Sequence, residues 1–356
     1  MLYRNIGKTG IPASVIGLGC EHLNGQPLSL VEEVLGTALD CGVNIIDCFM
    51  PGAEVRRNIG RAIRGRRDQV LIQGHIGSTD IHEQNDVSRD LAVCKKYFES
   101  LLADMGTDYI DLGMFFFVDT PADFSQVFES ELLEYGRDLK KRGIIRALGA
   151  SCHNGATARR IVETGEVDLI MFSINPVFDM TPAESDISEL LDDAKLKQSF
   201  ALRMEPSRAA LYRLCAEREV GITVMKTFCA GKLLSAELSP FARPMSAGQC
   251  IHYALTRPAV VSVLAGCKSR AEVLEAAGYL DLSDAERDYS AVIEEYQGDF
   301  RGNCMYCNHC LPCPSFIDVA AVSKYLDIAA LHPDHIPPAT AQHYRALDKH
   351  GSDCVA

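Results

Sequence analysis

Cys304, Cys307, Cys310 and Cys313 are each separated by two residues, and Pro314 follows the last of them. Thiolates are soft ligands, and three consecutive C-x2-C steps aim four of them at one compact centre. Proline after the final cysteine is the ending of bacterial iron–sulfur runs. A structural zinc site takes its ligands from two knuckles held apart by a longer loop, whereas here only Asn308 and His309 separate the pairs. The expectation is an iron–sulfur cluster, 4Fe–4S in its simplest form, with zinc or free thiols as the alternatives. In two-cluster proteins the cysteine before the proline serves the other cluster. With a single run, Cys313 completes the one cluster and Cys354 in the tail is the reserve ligand. His309 is read as tuning the cluster through hydrogen bonding rather than ligating it.

The remaining residues with chemistry to offer stand at the ends of short apolar runs: Glu21 and His22, Asp47, His75, Ser151 with His153, Asn175 and Lys226. A carboxylate beside an imidazole favours its protonated form, which makes the ring a usable acid near neutral pH. Asp47 and His75 are therefore the candidate catalytic pair. The plainer alternative is an aspartate that caps a loop and a histidine that lines an inert pocket. Cys20, Cys48, Cys152, Cys229 and Cys267 also follow apolar runs. They could hold a second metal or meet an electrophile, although buried cysteine is more often a small apolar side chain. Phe115, Phe116 and Phe117 read as core and pocket wall.

Elements that could position these groups follow from the hydrophobic pattern. Strands are predicted over Val15–Leu18, Asn44–Cys48, Val70–Ile76, Ile110–Val118, Ala147–Ser151, Leu169–Ile174, Ile222–Lys226 and Val261–Leu264. Helix-period stretches such as Leu30–Cys41, Asp90–Met105 and Leu132–Arg142 alternate with them. Short strands apolar on both faces and separated by helices are what a parallel sheet covered by helices requires. Eight such units predict an α/β fold, a closed (β/α)8 TIM barrel, over residues 1–282. An N-terminal hairpin over Leu2–Leu18 precedes it. An open doubly wound sheet is the runner-up, and no G-x-G-x-x-G follows the first strand. The acidic segment Thr181–Ser199 reads as a long solvated loop. From Ser283 onward, residues 283–356 read as a C-terminal extension carrying the iron–sulfur motif, with a helix over Val319–Ala330 and a proline-interrupted stretch from His332 to Pro338. In a barrel of this kind the site lies at the C-terminal strand ends, and neighbouring strands two and three bring Asp47 within reach of His75.

Tyr3-Arg4-Asn5-Ile6-Gly7, Gly17-Leu18-Gly19, Gly42-Val43-Asn44-Ile45-Ile46-Asp47, Asp108-Tyr109-Ile110-Asp111-Leu112, Arg146-Ala147-Leu148-Gly149-Ala150-Ser151, Met225-Lys226-Thr227 and Gly266-Cys267-Lys268-Ser269 occur in this order. Together they resemble the aldo/keto reductase superfamily over nearly the whole chain. Pro312-Cys313-Pro314 resembles the ending of a subgroup with a C-terminal 4Fe–4S motif. The resemblance implies hydride transfer from NADP(H) to a small carbonyl substrate, with Ser151, Asn175, Lys226, Gly266, Lys268 and Ser269 at cofactor positions. Lys268 and Ser269 follow a strand, where amides and a cation could hold a phosphate. Of the family's Asp, Tyr, Lys and His tetrad only Asp47 is matched. Gly52 stands where the tyrosine would be, Gly74-His75 replaces Thr-Lys, and Phe116 replaces the histidine. Cys152 and Met171 replace the residues that hold the carboxamide. The pair Asp47 and His75 would then supply the acid.

Bulk composition narrows the classes. Hydrophobic residues make up 47% of 356, an ordinary globular composition. A net charge of −13 argues against a nucleic-acid partner. Met1–Gly10 lacks the apolar core of a signal peptide, and runs such as Met114–Val118 are too short to span a bilayer, which predicts a cytoplasmic protein with reduced thiols and no membrane contact. The leading expectation is an oxidoreductase that binds a small organic substrate and exchanges electrons through its cluster, with an electron-carrier protein as partner. A structural cluster, a non-redox lyase or isomerase on the same barrel, and a catalytically silent redox sensor are the competing readings.

Overall fold

The computed structural model describes residues 1–81, 86–180, 204–241, 243–294, 313, 315–330, 336 and 338–355. An antiparallel hairpin, β1 (Tyr3–Asn5) and β2 (Pro12–Ser14), opens the chain. Eight strands then close into a barrel: β3 (Ile16–Gly19), β4 (Ile45–Cys48), β5 (Leu71–Ile76), β8 (Ile110–Phe115), β9 (Ile145–Cys152), β10 (Leu169–Ser173), β11 (Gly221–Met225) and β12 (Val260–Gly266). Every pairing is parallel, and β12 returns to β3. A short hairpin that the hydrophobic pattern did not disclose, β6 (Ser78–Thr79) with β7 (Asp86–Val87), follows the third barrel strand.

The strands are buried on both faces because two separate cores use them. Ile6, Ile11, Ala13, Ile45, Leu71, Leu112, Ala147 and Leu169 form the inner cluster. Ile45, Leu71 and Leu169 begin their strands, so the hairpin's Ile6, Ile11 and Ala13 plug the N-terminal end of the barrel. The outer core fills the space between strands and helices, with Val34, Phe98, Leu101, Leu139 and Ile161 from the helix faces. The predicted helices occur as Leu28–Asp40, Leu91–Met105 and Glu131–Lys141. Asp90 caps the second by accepting from Val93 N–H, and Gly106 ends it with φ 65°. Helix Ala53–Ala62 lies so close to this end that a Cβ on Gly60 would come within 2.3 Å of the Met105 carbonyl oxygen.

Two strands end earlier than the pattern-based expectation where the backbone turns left-handed. The fourth barrel strand stops at Phe115, not Val118, because Phe117 adopts the left-handed region with φ 54°. The seventh stops at Met225, not Lys226, for the same reason, with φ 58° at Lys226. Hydrophobicity continues past both points, but strand geometry does not. Beyond residue 283, helices Asp284–Arg287 and Ser290–Glu294 bring Tyr289, Val292 and Ile293 into the outer core. Helices Val319–Ala330 and Pro338–Arg345 meet through Tyr325 and Tyr344, ring centroids 6.5 Å apart. The segment 181–199, most of 332–338, and Cys304, Cys307, His309, Cys310 and Pro314 lie outside the described residues.

Candidate active site

β4 and β5 pair with Asp47 opposite Gln73. Side chains two apart on a strand share a face, so Leu71, Gln73 and His75 all point into the barrel. His75 Nε2 lies 2.8 Å from Asp47 Oδ1. Gln73 Nε2 donates to the same oxygen at 2.6 Å, and Thr223 Oγ1 donates to Gln73 Oε1 at 3.0 Å. Asp47 and His75 are each only 2% exposed. An ionised carboxylate only accepts, so the ring nitrogen facing Asp47 carries its hydrogen. The other nitrogen, Nδ1, is buried without a partner. Phe49 and Phe116 cover the imidazole, with centroids 6.4 and 5.3 Å from it and rings nearly perpendicular to it. Ser78 Oγ donates to the Phe49 carbonyl and so fixes one of these covers.

Two strands further round the mouth, after β8 and β9, stands a second imidazole–carboxylate pair. His153 Nδ1 lies 2.9 Å from Asp119 Oδ2, and the His153 N–H donates to Asp119 Oδ1 at 2.6 Å. Here Nε2 is the buried nitrogen without a partner. Burial holds the His153 imidazole below its usual range, although Asp119 pulls the other way. Ser151 Oγ accepts from the Phe117 N–H at 2.8 Å. Arg89 donates to the Phe116 and Phe117 carbonyls, both at 2.8 Å, and pairs with Asp123 at 3.0 Å. A bulky residue at positive φ stores strain, and these bonds hold Phe117 there. Asp119, Gln73 and Arg89 escaped the sequence reading. Gln73 was legible as the inward residue two before His75, and Asp119 as the residue before the Thr120–Asp123 capping box.

The cofactor candidates are distributed along the other strand ends. Asn175 Nδ2 donates to the Lys226 carbonyl at 2.8 Å and its Oδ1 accepts from Phe178 N–H at 2.9 Å, so the amide braces two loops. Lys226 is half-buried. Gly266 lies against His22, whose ring a Cβ would approach to 3.1 Å. Ser269 caps helix Arg270–Ala277 by accepting from Glu272 N–H, and the Glu272 carboxylate accepts from the Lys268 N–H at 2.7 Å. A cation, a hydroxyl and a helix start thus coincide, with Glu272 on the amide that an incoming phosphate would contest. Glu21 and His22 are exposed at the rim.

The strand-end thiols are buried. Burial pushes Cys48 and Cys267 up to about 12, and raises Cys20 and Cys152 well above the usual thiol range. Among the described residues no group of three or more His, Cys, Asp or Glu side chains is placed to hold a metal ion. Of the four tail cysteines only Cys313 is described. Among the described residues no helix is long and apolar enough to cross a membrane. A groove of about 570 Å³ lies on the outer ring between helices Leu91–Met105 and Glu131–Lys141, away from the mouth. Asp179, fully buried, accepts from Arg208 Nε at 2.8 Å, Tyr212 at 2.5 Å and Tyr253 at 2.9 Å, and so ties the loop after β10 to two helices.

A closed parallel barrel of eight strands defines a (β/α)8 protein, and the candidate residues lie at its C-terminal strand ends. The aldo/keto reductase family model matches residues 15–196, and the chain belongs to that family. It is similar to Rho crystallin of Aquarana catesbeiana, with 30% identity over 173 residues, covering 42% of this chain and 49% of that protein. It is also similar to aldo-keto reductase YhdN of Bacillus subtilis (strain 168), with 31% identity over 163 residues, covering 42% and 47%. The chain spans about half the length of the curated relatives it matches. Among solved structures, an aldo-keto reductase from Bacillus halodurans in its holo form aligns with a TM-score of 0.63 at 20% identity, over 83% of this chain and 96% of that one. An aldo-keto reductase from Klebsiella pneumoniae in complex with NADPH aligns with a TM-score of 0.58 at 17% identity, over 85% and 98%. At these identities the structural likeness speaks to the fold.

Proposed function

We propose that the barrel, residues 1–282, reduces the carbonyl group of a small organic molecule with NADP(H), and that His75 oriented by Asp47 supplies the proton. The observation that carries this reading is the buried 2.8 Å contact between His75 Nε2 and Asp47, which leaves Nδ1 as the imidazole's free face. Asp47 fixes the ring, while Gln73 and Thr223 fix Asp47. Nδ1–H then donates to the carbonyl oxygen as it becomes a hydroxyl. Phe49 and Phe116 keep water from the ring. NADP(H), when bound, supplies the hydride. Lys268 and Ser269 would hold its phosphate, with Ser151, Asn175, Lys226 and Gly266 along the mouth. Family membership supports this assignment, as does the NADPH complex of the Klebsiella protein.

In the same proposal, residues 283–356 carry a 4Fe–4S cluster on Cys304, Cys307, Cys310 and Cys313, exchanging electrons with a carrier protein. The C-x2-C spacing and the proline after it support this part. A catalytically silent sensor is the second reading, favoured by the burial of His75 beneath two phenyl rings. Anaerobic protein titrated with NADPH, read by nicotinamide fluorescence and the cluster's visible band, separates them. Nicotinamide binding followed by substrate-dependent NADPH oxidation is expected. Replacing His75 with Gln should cut turnover by about 10²- to 10⁴-fold. Undiminished turnover in that variant would dispose of the acid role, and absence of nicotinamide binding would dispose of the reductase.

A further inference from the structure

Proton delivery from His75 meets an obstacle in its own surroundings. The side chain is 1% exposed, and Nδ1, the nitrogen that Asp47 does not hold, is buried without a partner. Phe49 and Phe116 cover the ring and stack on each other, with centroids 5.8 Å apart and planes 12° from parallel. Both phenyl groups are only half-buried, so this layer touches the imidazole and solvent alike. The ring must be uncovered before any substrate meets Nδ1.

One short segment holds the layer in place. Ser78 in β6 donates its hydroxyl to the Phe49 carbonyl. The β6–β7 pairing continues through Ser88 N–H, which donates to the Gly77 carbonyl at 2.9 Å. Arg89 follows at once: Nη1 donates to the Phe116 carbonyl and Nη2 to the Phe117 carbonyl, both at 2.8 Å. Asp123 Oδ1, 3.0 Å from Nη2, steadies the guanidinium. The two N–H groups are held from the other side, Phe116 by the Ile76 carbonyl at 2.9 Å and Phe117 by Ser151 Oγ at 2.8 Å. Phe117 has φ 54°, a region that bulky residues occupy only where their surroundings impose it. Hydrogen bonds from an ionised donor are stronger than neutral ones, so the guanidinium is the main restraint on this turn. Once it loosens, Phe117 relaxes toward negative φ, and the turning backbone carries the Phe116 ring with it.

We propose that Arg89 is a positioning residue for proton transfer, holding the phenyl layer over His75, and that Phe117 is the hinge on which the layer parts. This rests on the reading of His75 as proton donor to the substrate. Arg89 acts through two backbone carbonyls, not on the reacting atoms. A few residues that absorb a backbone change are enough to gate a site in this way. Lysine in place of Arg89 keeps the charge but loses the planar fork that spans both carbonyls.

Exchange of the His75 ring N–H with water tests this, followed by NMR on full-length protein with isotope-labelled histidine and no cofactor. In the wild type the exchange should be nearly independent of urea below the unfolding transition, because a local parting exposes little surface. Arg89→Lys should quicken it by about tenfold. Phe116→Ala, which removes the cover and leaves the arginine, should quicken it as well. Global opening is read separately, by alkylation of buried Cys215 and Cys250. These lie in helices Pro206–Arg218 and Ala247–Leu255, which flank β11, the strand opposite β5 in the barrel. Their labelling should stay within about twofold of wild type in Arg89→Lys. An unchanged His75 rate in Arg89→Lys overturns the proposal. So does a wild-type rate that climbs with urea as steeply as Cys215 labelling, since His75 would then be uncovered only by unfolding. If Arg89→Lys does not fold, Phe116→Ala decides, and an unchanged rate there is equally fatal. Because this readout needs no turnover, it stands apart from NADPH oxidation in the His75→Gln variant, whose failure would sink the reductase reading instead.

Discussion

Gln73 Nε2 lies 2.6 Å from Asp47 Oδ1, the oxygen that His75 Nε2 approaches at 2.8 Å. One carboxylate thus satisfies two donors inside the barrel, where water cannot replace it. Asp47→Ala would leave His75 Nε2 without an acceptor and Gln73 Nε2 with only Met171 Sδ, and leaving a buried donor unmet costs about 1–3 kcal/mol. Urea unfolding should show that loss. Asp47→Asn, which keeps one acceptor oxygen, should lose less. Equal stability of Asp47→Ala and wild type would show that the network does not bear on the fold.

Close packing of two helices gives a second expectation. Gly60 lies in helix Ala53–Ala62 with Met105 carbonyl oxygen in the space a methyl group would occupy. Backbone cannot rotate away as a side chain can. Although alanine is the better helix former, Gly60→Ala should destabilise the protein by about 1–3 kcal/mol, since overpacking outweighs the propensity gain of roughly 1 kcal/mol. Thermal unfolding with a raised midpoint would contradict the close approach.

Acid stability should depend on His153. Burial depresses its folded value below the 6.5 of the free side chain. As pH falls below about 6.5 the unfolded chain takes up the proton first, so stability present above that point declines toward the folded value. Urea midpoints at about pH 7.5 and about pH 5.5 should differ more for wild type than for His153→Gln. The same pH slope in both proteins would show that this ring does not govern the decline.

Thiol reactivity should follow burial. Cys48 and Cys267, pushed up to about 12, and Cys94, pushed up to about 11, offer almost no thiolate at neutral pH. Peptide-resolved labelling with iodoacetamide should therefore modify exposed Cys354 in minutes and these three only after unfolding. Rapid native labelling of Cys48 would reveal an opening of the mouth.

The tail motif makes a separate demand. Anaerobic reconstitution should load about four irons per chain and give a broad visible band, and Cys307→Ser should reduce both. Colourless, iron-free protein after reconstitution would remove the cluster.

Alternation of apolar runs with helix-period stretches was enough to read the barrel, because strands buried on both faces need continuous hydrophobicity and leave that trace in order along the chain. Asp47 and His75 were legible for the same reason, each standing near the end of such a run. The ends of those runs were not, since Phe117 and Lys226 turn into left-handed backbone for causes that lie elsewhere, in Arg89, Ser151 and Asn175. Gln73 faces inward by its period alone, but only the register sets it opposite Asp47. Asp119 and His153 stand 34 positions apart, and nothing local announces that they meet. Residue type and period are properties of the chain read in order and settle which elements form. Hydrogen-bond partners, tautomers and unmet lone pairs belong to groups distant in sequence, and only closing the barrel decides them.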